Sequence, residues 1–167
     1  NIAEGCAFAC SFCTHKPGLG GRRSRKLDDI LTQVSEAQKE GIDRIILMGM
    51  ETAMYGIEHK TPFPVLLDEV MKIKGDFEVH IAQFNPFGVQ KYYDQLIKTM
   101  VNKRITDFQA PFQSTSKRIL DMMNRKYFDS KKVSSFMKTL RKENTRVVCR
   151  TDMIVGWPTE TEEERQD

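Results

Sequence analysis

The chain has 167 residues, of which 40% are hydrophobic and 29% are charged. This balance is that of an ordinary globular domain with enough apolar residues for a sizeable core. No apolar run approaches the roughly 20 residues that a membrane-spanning helix needs, and no targeting segment is visible. We therefore expect a cytoplasmic protein with no membrane partner. The net charge of +3 permits a polyanionic partner but does not indicate one.

Both ends of the sequence suggest that the chain is one part of a longer protein. It begins at Asn1 without an initiator methionine. It stops at Asp167, inside a charged run that is typical of the first turn of a helix. We therefore interpret residues 1–167 as one domain of a larger parent protein.

Segments with helical periodicity alternate with short apolar segments along the whole sequence. The first predicted helix covers residues 27–40, with Asp28 and Asp29 in its first turn and Gly41 as a stop signal. The further predicted helices cover residues 63–74, 89–101, 116–124 and 130–143. The predicted strands cover residues 44–49, 77–84, 105–110 and 146–156, with residues 1–4 as the tail of one more strand.

Strands that alternate with helices of about a dozen residues predict parallel βα units and an α/β fold. In such folds the functional residues lie at the carboxyl ends of the strands. The loops that follow the predicted strands carry a cysteine cluster, Gly49-Met50-Glu51, Asn85-Pro86, Pro111-Phe112-Gln113 and Gly156-Trp157-Pro158. The sequence therefore predicts one functional rim at this end of the sheet.

Three cysteines, Cys6, Cys10 and Cys13, have the spacing C-x3-C-x2-C within the segment GCAFACSFC. Three thiolates on one short loop can hold three irons of a [4Fe–4S] cube and leave the fourth iron without a protein ligand. An iron left open in this way can bind and activate a small molecule. Phe12, directly before the third cysteine, is suited to packing against a flat nucleobase.

These cysteines have two alternative roles, a disulfide and a structural zinc site. A disulfide is disfavoured because Cys149 is far along the chain and three neighbouring thiols cannot all pair locally. A structural zinc site would take three sulfurs and one nitrogen from Cys6, Cys10, Cys13 and His15. Zinc ligands usually come in two separated pairs, whereas these four donors are close together in sequence. The spacing therefore favours the iron–sulfur cluster and leaves zinc as the alternative.

The sequence resembles the radical S-adenosylmethionine (SAM) superfamily and, within it, the methylthiotransferases that modify tRNA or a ribosomal protein. The segments that carry the resemblance extend over nearly the whole chain and are EGCAFACSFC, RRSR, ILMGMETAMYG, QAPFQSTSKRILDMMNRKY and RTDMIVGWPTETEEE. The cysteine motif, with an aromatic residue before its last cysteine, is specific to the superfamily. The last two segments resemble methylthiotransferases, in which QSGS, MNRRY and TDIIVGFPGET are typical.

This resemblance implies a parallel, partial (β/α)6 barrel, here incomplete with about five strands. It implies a [4Fe–4S] cluster and SAM as cofactors, with SAM chelating the open iron through its amino and carboxylate groups. One electron, from a reductant of the flavodoxin or ferredoxin type, would pass through the cluster and break a carbon–sulfur bond of SAM. The resulting 5′-deoxyadenosyl radical would take hydrogen from an unreactive C–H position of tRNA or of a ribosomal protein.

The resemblance also implies roles for individual residues. It makes Cys6, Cys10 and Cys13 the ligands of the cluster. The residues that it implies around SAM are Phe12, Gly49, Met50, Glu51, Gln113, Ser114, Arg150, Ile154, Val155 and Gly156. Among these, Gly49 is expected to allow a close backbone approach.

Several of these residues have structural alternatives. Glu51 either accepts N–H bonds from the SAM amino group or caps a loop. Ser114 and the nearby Ser116 either line the mouth of the barrel or cap the helix that follows. Arg150 either binds the SAM carboxylate or pairs with Asp152 on the same strand face, and the pairing is favoured.

The sequence departs from the methylthiotransferase pattern at three positions. Thr115 and Thr159 replace glycines and Trp157 replaces a phenylalanine, so we expect the backbone on the substrate side to differ. Methylthiotransferases also carry an amino-terminal domain with three more cysteines for a second cluster, and usually a carboxyl-terminal nucleic-acid-binding domain. We expect both in the parent protein, and we expect that residues 1–167 alone do not complete sulfur insertion.

Three functions therefore remain open. The leading one is the radical SAM domain of a methylthiotransferase, in which the arginines of RRSR either contact tRNA phosphates or form a solvated basic loop. The second keeps the cluster but catalyses another C–H reaction, such as that of a methylase. The third is a non-catalytic, zinc-bound module that binds nucleic acid.

Overall fold

Helices and strands alternate along the chain in the computed structural model, which describes residues 1–166 apart from the side chains of Lys16 and Leu19. The strands are β1 (Ala3–Glu4), β2 (Arg23–Ser24), β3 (Arg44–Leu47), β4 (Glu78–Ile81), β5 (Ile105–Gln109) and β6 (Val148–Arg150). The helices are α1 (Lys16–Leu19), α2 (Leu27–Lys39), a 3-10 helix (Ile57–His59), α3 (Phe63–Lys72), α4 (Pro86–Lys91), α5 (Tyr93–Met100), α6 (Lys117–Met122), α7 (Ser130–Glu143) and α8 (Glu162–Gln166). Within residues 1–166, none of the helices is long and apolar enough to cross a membrane.

Four of the strands form a parallel sheet in the order β3-β4-β5-β6. Helices connect each strand to the next because parallel neighbours need a crossover connection. The register places Leu47, Ile81, Phe108 and Cys149 side by side in one row. The predicted α/β fold with a parallel sheet is confirmed, and the four strands leave the sheet open rather than closed into a barrel.

The predicted first strand is short and joins the sheet at one edge. β1 pairs antiparallel with β2, with Ala3 opposite Ser24. It reaches the end of β3 through a hydrogen bond from the Ile2 N–H to the Met48 carbonyl oxygen (2.7 Å) and a single parallel bridge between Ala3 and Gly49. A Cβ at Gly49 would lie 2.8 Å from the Ala3 carbonyl oxygen. The backbone that approaches Gly49 closely is therefore that of β1.

The two faces of the sheet have different environments because successive side chains of a strand point to opposite faces. On the helix side, the buried Phe108 packs against Phe84 and Phe136, with ring centroids 5.4 and 5.7 Å away. On the inner side, Ile46 and Val148 are 49% and 55% exposed. The helices therefore cover one face, and the other remains accessible below the strand ends.

One predicted helix begins earlier than expected. The helix predicted over residues 89–101 starts at Pro86 and is divided at Tyr92 into α4 and α5. The Asn85 side chain accepts a hydrogen bond from the Phe87 N–H (3.0 Å), and proline is favourable in the first turn. The turn predicted at Asn85-Pro86 is therefore a helix cap.

The last strand is shorter than its prediction over residues 146–156. After β6, the Thr151 hydroxyl rather than a backbone carbonyl accepts the hydrogen bond of the Phe112 N–H (3.0 Å). Beyond it, one isolated bridge joins Gln113 to Met153. The apolar sequence pattern continues, but a side chain replaces the regular backbone pairing, so the strand ends.

Asn144, just after α7, is predicted to be essential for stability. Its buried side-chain amide lies 3.0, 3.1 and 2.8 Å from the carbonyl oxygens of Met100, Asn102 and Ile105. Asn144→Ala is expected to lower the free energy of unfolding by about 3 kcal/mol, because it leaves buried carbonyls unpaired. Urea unfolding measures the loss. The control, Asn102→Ala, removes an exposed bond to the Arg104 N–H and is expected to cost less than about 1 kcal/mol. Equal losses in the two variants would contradict the prediction.

Candidate functional site

The cysteine loop, residues 5–15, connects β1 to α1 and is held in place by the end of α6. The Ser11 N–H donates to the Met123 carbonyl oxygen at 3.0 Å. The Asn124 side chain donates to the Ala9 carbonyl oxygen at 2.8 Å. These bonds join segments that are more than one hundred positions apart in sequence, so the path of the loop depends on tertiary structure.

A cavity of about 490 Å³ lies at the carboxyl ends of the strands, against the cysteine loop. The sequence-predicted site residues that line it are Cys6, Cys10, Phe12, Cys13, Gly49, Met50, Glu51 and Gln113. They come from three separate loops, namely the cysteine loop and the loops after β3 and β5. Phe8, Gln83 and Arg125 also line the cavity, and the sequence assigned no role to them. Asp152 lines it as well, although the sequence predicted it only as a partner of Arg150. One cavity therefore brings together most of the predicted rim.

The three thiols of the loop are half-buried, and no disulfide joins any of the four cysteines of the chain. The zinc alternative requires that Cys6, Cys10, Cys13 and His15 converge on a single ion. Within residues 1–166, no group of three or more histidine, cysteine or carboxylate side chains is placed to hold one metal ion. A [4Fe–4S] cube is larger, and a separate iron binds each thiolate, so its ligands need not converge on one point. Within residues 1–166 the donors therefore do not form a preformed zinc site, whereas a cluster does not require its ligands to converge on one ion.

Two side chains contact the sulfur of Cys10. Arg125 Nη1 and the Tyr127 hydroxyl oxygen each lie 3.5 Å from Cys10 Sγ. Arg125 is buried, and its Nη2 donates to the Pro111 carbonyl oxygen at 2.7 Å. Burial raises the pKa of Tyr127 above its ordinary value, so the hydroxyl keeps its proton. Both residues belong to the MNRKY segment, and its likeness to the typical MNRRY was the only sequence signal that pointed to them.

Glu51 caps the loop that follows β3. Its side chain is 2% exposed and accepts hydrogen bonds from the backbone N–H groups of Ala53 (2.8 Å) and Met54 (3.0 Å). This is the structural alternative that the sequence left open. Burial raises the pKa of Glu51 to about 7, although these two N–H groups act in the opposite direction. A carboxyl group beside the cavity therefore changes its charge near neutral pH.

The raised pKa of Glu51 predicts a dependence of stability on pH. The folded state holds the proton more tightly than the unfolded state, whose ordinary pKa is 4.5. This stabilisation is complete below about pH 4.5 and is lost as the pH rises through about 7. Between pH 4.5 and 8, the free energy of unfolding is expected to fall by about 3 kcal/mol relative to Glu51→Gln, which does not titrate. Urea unfolding at several pH values tests this, and parallel profiles for the two proteins would contradict it.

Two glutamines at the strand ends have left-handed backbone conformations, which are uncommon for residues other than glycine. Gln83 has a φ of 55° and Gln113 a φ of 75°, and both line the cavity. Backbone bonds hold Gln113 in place, because its N–H donates to the Asp152 carbonyl oxygen (2.8 Å) and its carbonyl oxygen accepts from the Ile154 N–H (2.9 Å). Such conformations concentrate at functional sites. The sequence did not point to Gln83 because a glutamine does not by itself indicate a left-handed backbone conformation.

The remaining residues predicted around SAM lie beside the cavity, and in the described part of the chain none of them lines it; they are Ser114, Arg150, Ile154, Val155 and Gly156. Ser114 is buried and its hydroxyl accepts a hydrogen bond from the Ser116 N–H at 3.2 Å. Ser116 caps α6 by accepting from the Ile119 N–H at 3.3 Å. Val155 is 63% exposed on the rim. The capping alternative for the serines is therefore present in the structure.

Arg150 has a carboxylate partner, but a different one from the residue predicted. Its Nε and Nη2 lie 2.9 and 2.7 Å from the two carboxylate oxygens of Asp107. Asp107 is opposite Val148 in the register of β5 and β6, so it is the diagonal neighbour of Arg150 on the same face. Asp152, the predicted partner, instead accepts a hydrogen bond from Gln109 Nε2 at 2.9 Å.

The family model of the radical SAM superfamily matches residues 1–167, which is the whole chain. The chain belongs to the radical SAM superfamily. The resemblance drawn from the cysteine motif is thereby confirmed. Membership of this superfamily assigns a [4Fe–4S] cluster and SAM as cofactors.

Curated relatives of two kinds match nearly all of this radical SAM domain. The probable threonylcarbamoyladenosine tRNA methylthiotransferase of Pyrococcus horikoshii is 34% identical over 163 residues, covering 97% of this chain and 38% of the relative. The ribosomal protein uS12 methylthiotransferase RimO of Thermoanaerobacter sp. is 38% identical over 170 residues, covering 99% of this chain and 38% of the relative. The chain therefore spans 38% of the length of these relatives.

Among solved structures, a radical SAM methyltransferase, TsrM from Kitasatospora setae with cobalamin and a [4Fe-4S] cluster bound, has a similar fold. The TM-score is 0.78 at 15% sequence identity, and the match covers 98% of this chain and 32% of that chain. At this identity the likeness concerns the fold alone. It shows that the arrangement of strands and helices described here is also present in that structure.

Two of the departures from the methylthiotransferase pattern lie at the rim of this radical SAM domain. Thr159 has a φ of 69°, in the region that favours glycine, so the backbone keeps a left-handed conformation without a glycine. The Thr159 carbonyl oxygen accepts from Arg118 Nη2 at 2.7 Å. Trp157 packs edge-on against Phe12, with ring centroids 6.1 Å apart. Thr159 thus has a backbone conformation that favours glycine, although it is not a glycine.

The arginines of the RRSR segment differ in their surroundings. Arg22 Nη1 lies 2.6 Å from a carboxylate oxygen of Glu58. Arg25 Nη1 donates to Gln33 Oε1 at 2.7 Å. Arg23 is exposed. Two of the three arginines thus make contacts within the domain, and Arg23 is the one most accessible to an external phosphate.

Proposed function

We propose that this chain is the catalytic domain of a radical SAM transferase, in which Cys6, Cys10 and Cys13 bind a [4Fe–4S] cluster. The observation that carries the proposal is that the three thiols, all on one short loop, line a single cavity at the carboxyl ends of the strands. The match of the whole chain to the superfamily supports it. When bound, the reduced cluster supplies the electron that cleaves SAM.

The chain's own residues would position the cluster and limit the access of water. The rings of Phe8 and Phe12 line the cavity beside the thiols. Phe8 is supported by the ring of Tyr127, with centroids 4.5 Å apart, and by that of Phe87 at 6.0 Å. In cofactor enzymes the protein contributes this kind of orientation and exclusion. Phe8 and the aromatic rings that support it are therefore assigned to shielding the cluster, and Phe12 to packing against the adenine of SAM.

We place SAM against the wall of the cavity that the loops after β3 and β5 form. Met50 and Glu51 follow β3, and Gln113 follows β5, so the three residues face a ligand held beside the cysteine loop. Glu51 holds its loop through the Ala53 and Met54 N–H groups, and this contact shapes the wall. Gly49 contributes by letting β1 approach β3. These assignments are part of the proposal.

The residues beside the cavity are assigned to the outer part of the SAM site. Ile154, Val155 and Gly156 follow β6 at the rim, where we expect backbone contacts to the adenine. Ser114 would act through the turn that it forms with the start of α6. Arg150 would act through its pair with Asp107, which fastens β6 to β5, rather than by binding the SAM carboxylate.

We infer that the reaction of the whole protein is methylthiolation of tRNA or of a ribosomal protein. Relatives of both kinds, at 34% and 38% identity, support this choice, since each is named a methylthiotransferase. An electron donor of the flavodoxin or ferredoxin type and a cytoplasmic location belong to the same proposal. A nucleic-acid-binding part outside residues 1–167 would recognise a tRNA substrate.

Methylthiolation also needs a sulfur donor. The remaining cysteine, Cys149, lies half-buried in β6, and burial raises its pKa to about 11. A thiol with so high a pKa is a poor ligand and nucleophile at neutral pH. We therefore assign the second cluster and its cysteines to a part of the protein outside residues 1–167.

Anaerobic reconstitution tests the cofactor site. We expect about four irons per chain and no stoichiometric zinc. We also expect the EPR spectrum of the reduced protein to change when SAM is added, and 5′-deoxyadenosine to form when a reductant is present. One tightly held zinc, no iron and no response to SAM would overturn the proposal and favour the zinc module.

The reaction type is tested separately with the full-length protein, a reductant and SAM, using tRNA and ribosomal protein uS12 in parallel. Mass spectrometry of the digested substrate distinguishes the gain of a methylthio group from the gain of a methyl group. A methylthio group on either substrate supports the assignment. A methyl group alone would reassign the protein as a methylase, with the same cofactor site.

A further inference from the structure

The sulfur of Cys10 lies within hydrogen-bonding distance of two side chains from the segment after α6. Arg125 Nη1 and the Tyr127 hydroxyl oxygen are each 3.5 Å from Cys10 Sγ. These residues are 115 and 117 positions away from Cys10 in sequence. A thiolate that binds iron has no proton to donate, so both contacts would have to donate to the sulfur. A guanidinium and a hydroxyl can each do so.

Arg125 is held so that its charge stays near this sulfur. The residue is 6% exposed, and its Nη2 donates to the Pro111 carbonyl oxygen at 2.7 Å. Its guanidinium lies 5.8 and 5.6 Å from the ring centroids of Tyr127 and Phe128. Within residues 1–166, the hydrogen bonds of this buried guanidinium go to the Cys10 sulfur and the Pro111 carbonyl oxygen, and none goes to a carboxylate. Arg125 therefore brings a positive charge to the cavity that it lines.

Arg125 also has a donor that the described residues leave unpaired. Within residues 1–166, its Nε is buried and has no hydrogen-bond partner. A buried N–H group without a partner is costly, and native proteins seldom leave one unsatisfied. Arg125 therefore has more hydrogen-bond donors than the described residues have acceptors for them.

We propose that Arg125 and Tyr127 are positioning residues that donate hydrogen bonds to the Cys10 sulfur. These bonds stabilise the reduced state of the cluster and so raise the reduction potential of the cluster. This inference rests on the proposed function, since it requires Cys10 to bind iron. Reduction adds one negative charge to the cluster and its thiolates, and a neighbouring positive charge or hydrogen bond favours that state. Hydrogen bonds to the ligands are a known means by which proteins tune a metal centre.

Tyr127→Phe is the sharpest test because it removes one hydroxyl and keeps the ring that packs on Phe8 and Phe87. The readout is the midpoint potential of the anaerobically reconstituted protein, from a dithionite titration followed by EPR. We expect the potential of the variant to shift to more negative values, while the iron content stays within about a fifth of wild type. The matched control is Tyr93→Phe, which removes a hydroxyl bonded to Thr139 far from the cysteine loop and is expected to leave the potential unchanged.

Arg125 is tested by a pair of variants. Arg125→Met removes the charge and is expected to shift the potential further in the negative direction than Tyr127→Phe. Arg125→Lys keeps the charge and is expected to recover part of that shift. The comparison separates the effect of the charge from that of the packing, because Met and Lys have similar lengths.

The outcomes distinguish this inference from the proposed function. If the wild-type protein binds no iron, the proposed function fails and the inference fails with it. If the wild type binds about four irons and Tyr127→Phe keeps both its iron and its potential, the inference alone is overturned. The same holds if Tyr127→Phe lowers the melting temperature without any change in potential, since the contact would then be structural.

Discussion

Cys13→Ala is expected to reduce the iron content of the reconstituted protein from about four per chain to below one. The cluster would lose one of its three thiolates, and the fourth cysteine, Cys149, does not line the cavity and cannot replace it. Cys6→Ala and Cys10→Ala are expected to have the same effect. Iron analysis, together with the visible absorption of the cluster, measures the loss.

The matched control for the cysteine variants is Cys149→Ala. This cysteine is half-buried in β6, opposite Phe108 and away from the cysteine loop, so its removal should leave the iron content unchanged. Circular dichroism of the apoproteins checks that all variants keep their fold. Full iron content in Cys13→Ala, or an equal loss in Cys149→Ala, would contradict the assignment of the ligands.

Gly5→Ala is also expected to have a large effect, because it should lower the free energy of unfolding by about 4 kcal/mol. Gly5 has a φ of 68°, a conformation that costs an alanine about 1–2 kcal/mol. An added Cβ would also lie 2.4 Å from the Gly21 carbonyl oxygen, and forcing such an overlap costs about 1–3 kcal/mol more. Because Gly5 directly precedes Cys6, we also expect weaker retention of iron. Urea unfolding of the reduced apoprotein and iron analysis after reconstitution measure the two effects.

Gly41→Ala separates the two causes of this loss. Gly41 has a φ of 80°, but an added Cβ would have no heavy atom within 4 Å. Alanine there is expected to cost about 1–2 kcal/mol from backbone strain alone, with the iron content unchanged. If Gly5→Ala were no more destabilising than Gly41→Ala, the close packing of the cysteine loop on the segment around Gly21 would be refuted.

The inner face of the sheet has its own arrangement of charges below the cavity. Asp107 pairs with Arg150, and Gln109 donates to the Asp152 carboxylate at 2.9 Å. These pairs connect β5 to β6 and to the segment that follows it. They hold the last strand of the open sheet against its neighbour, and so support the rim on which Gln113 and the segment after β6 lie.

Much of the fold could be predicted from the sequence because the signals are local. The helices at Leu27–Lys39, Phe63–Lys72 and Ser130–Glu143 were predicted to within two residues at each end. Their extent could be predicted because the apolar periodicity of a helix with one buried face is visible in the sequence. The ends of the elements were less predictable. Asn85 extends α4 towards the amino terminus through a side-chain bond, and Thr151 ends the regular pairing of β6 in a similar way.

In the candidate site, too, features set by local sequence could be predicted, and contacts between distant segments could not. The cysteine triplet could be recognised because its spacing on one short loop is itself the chemical signal. The partner of Arg150 could not, because Asp107 is 43 residues away in sequence and meets it only through the register of two parallel strands. Likewise Glu51 was predicted on the rim and lines the cavity, but whether it caps its loop depends on where the following N–H groups point.

By itself, the sequence determined the alternation of strands and helices, the common rim of the strand ends and the choice of three thiols as candidate ligands. Each follows from a periodicity or from a spacing within a few residues. Only the tertiary structure decided that Arg125 and Tyr127 lie against Cys10, and that the loop at Gly5 packs on Gly21. The physical reason is that these contacts join distant segments, whose approach is determined by strand order, register and the path of each loop rather than by local preference.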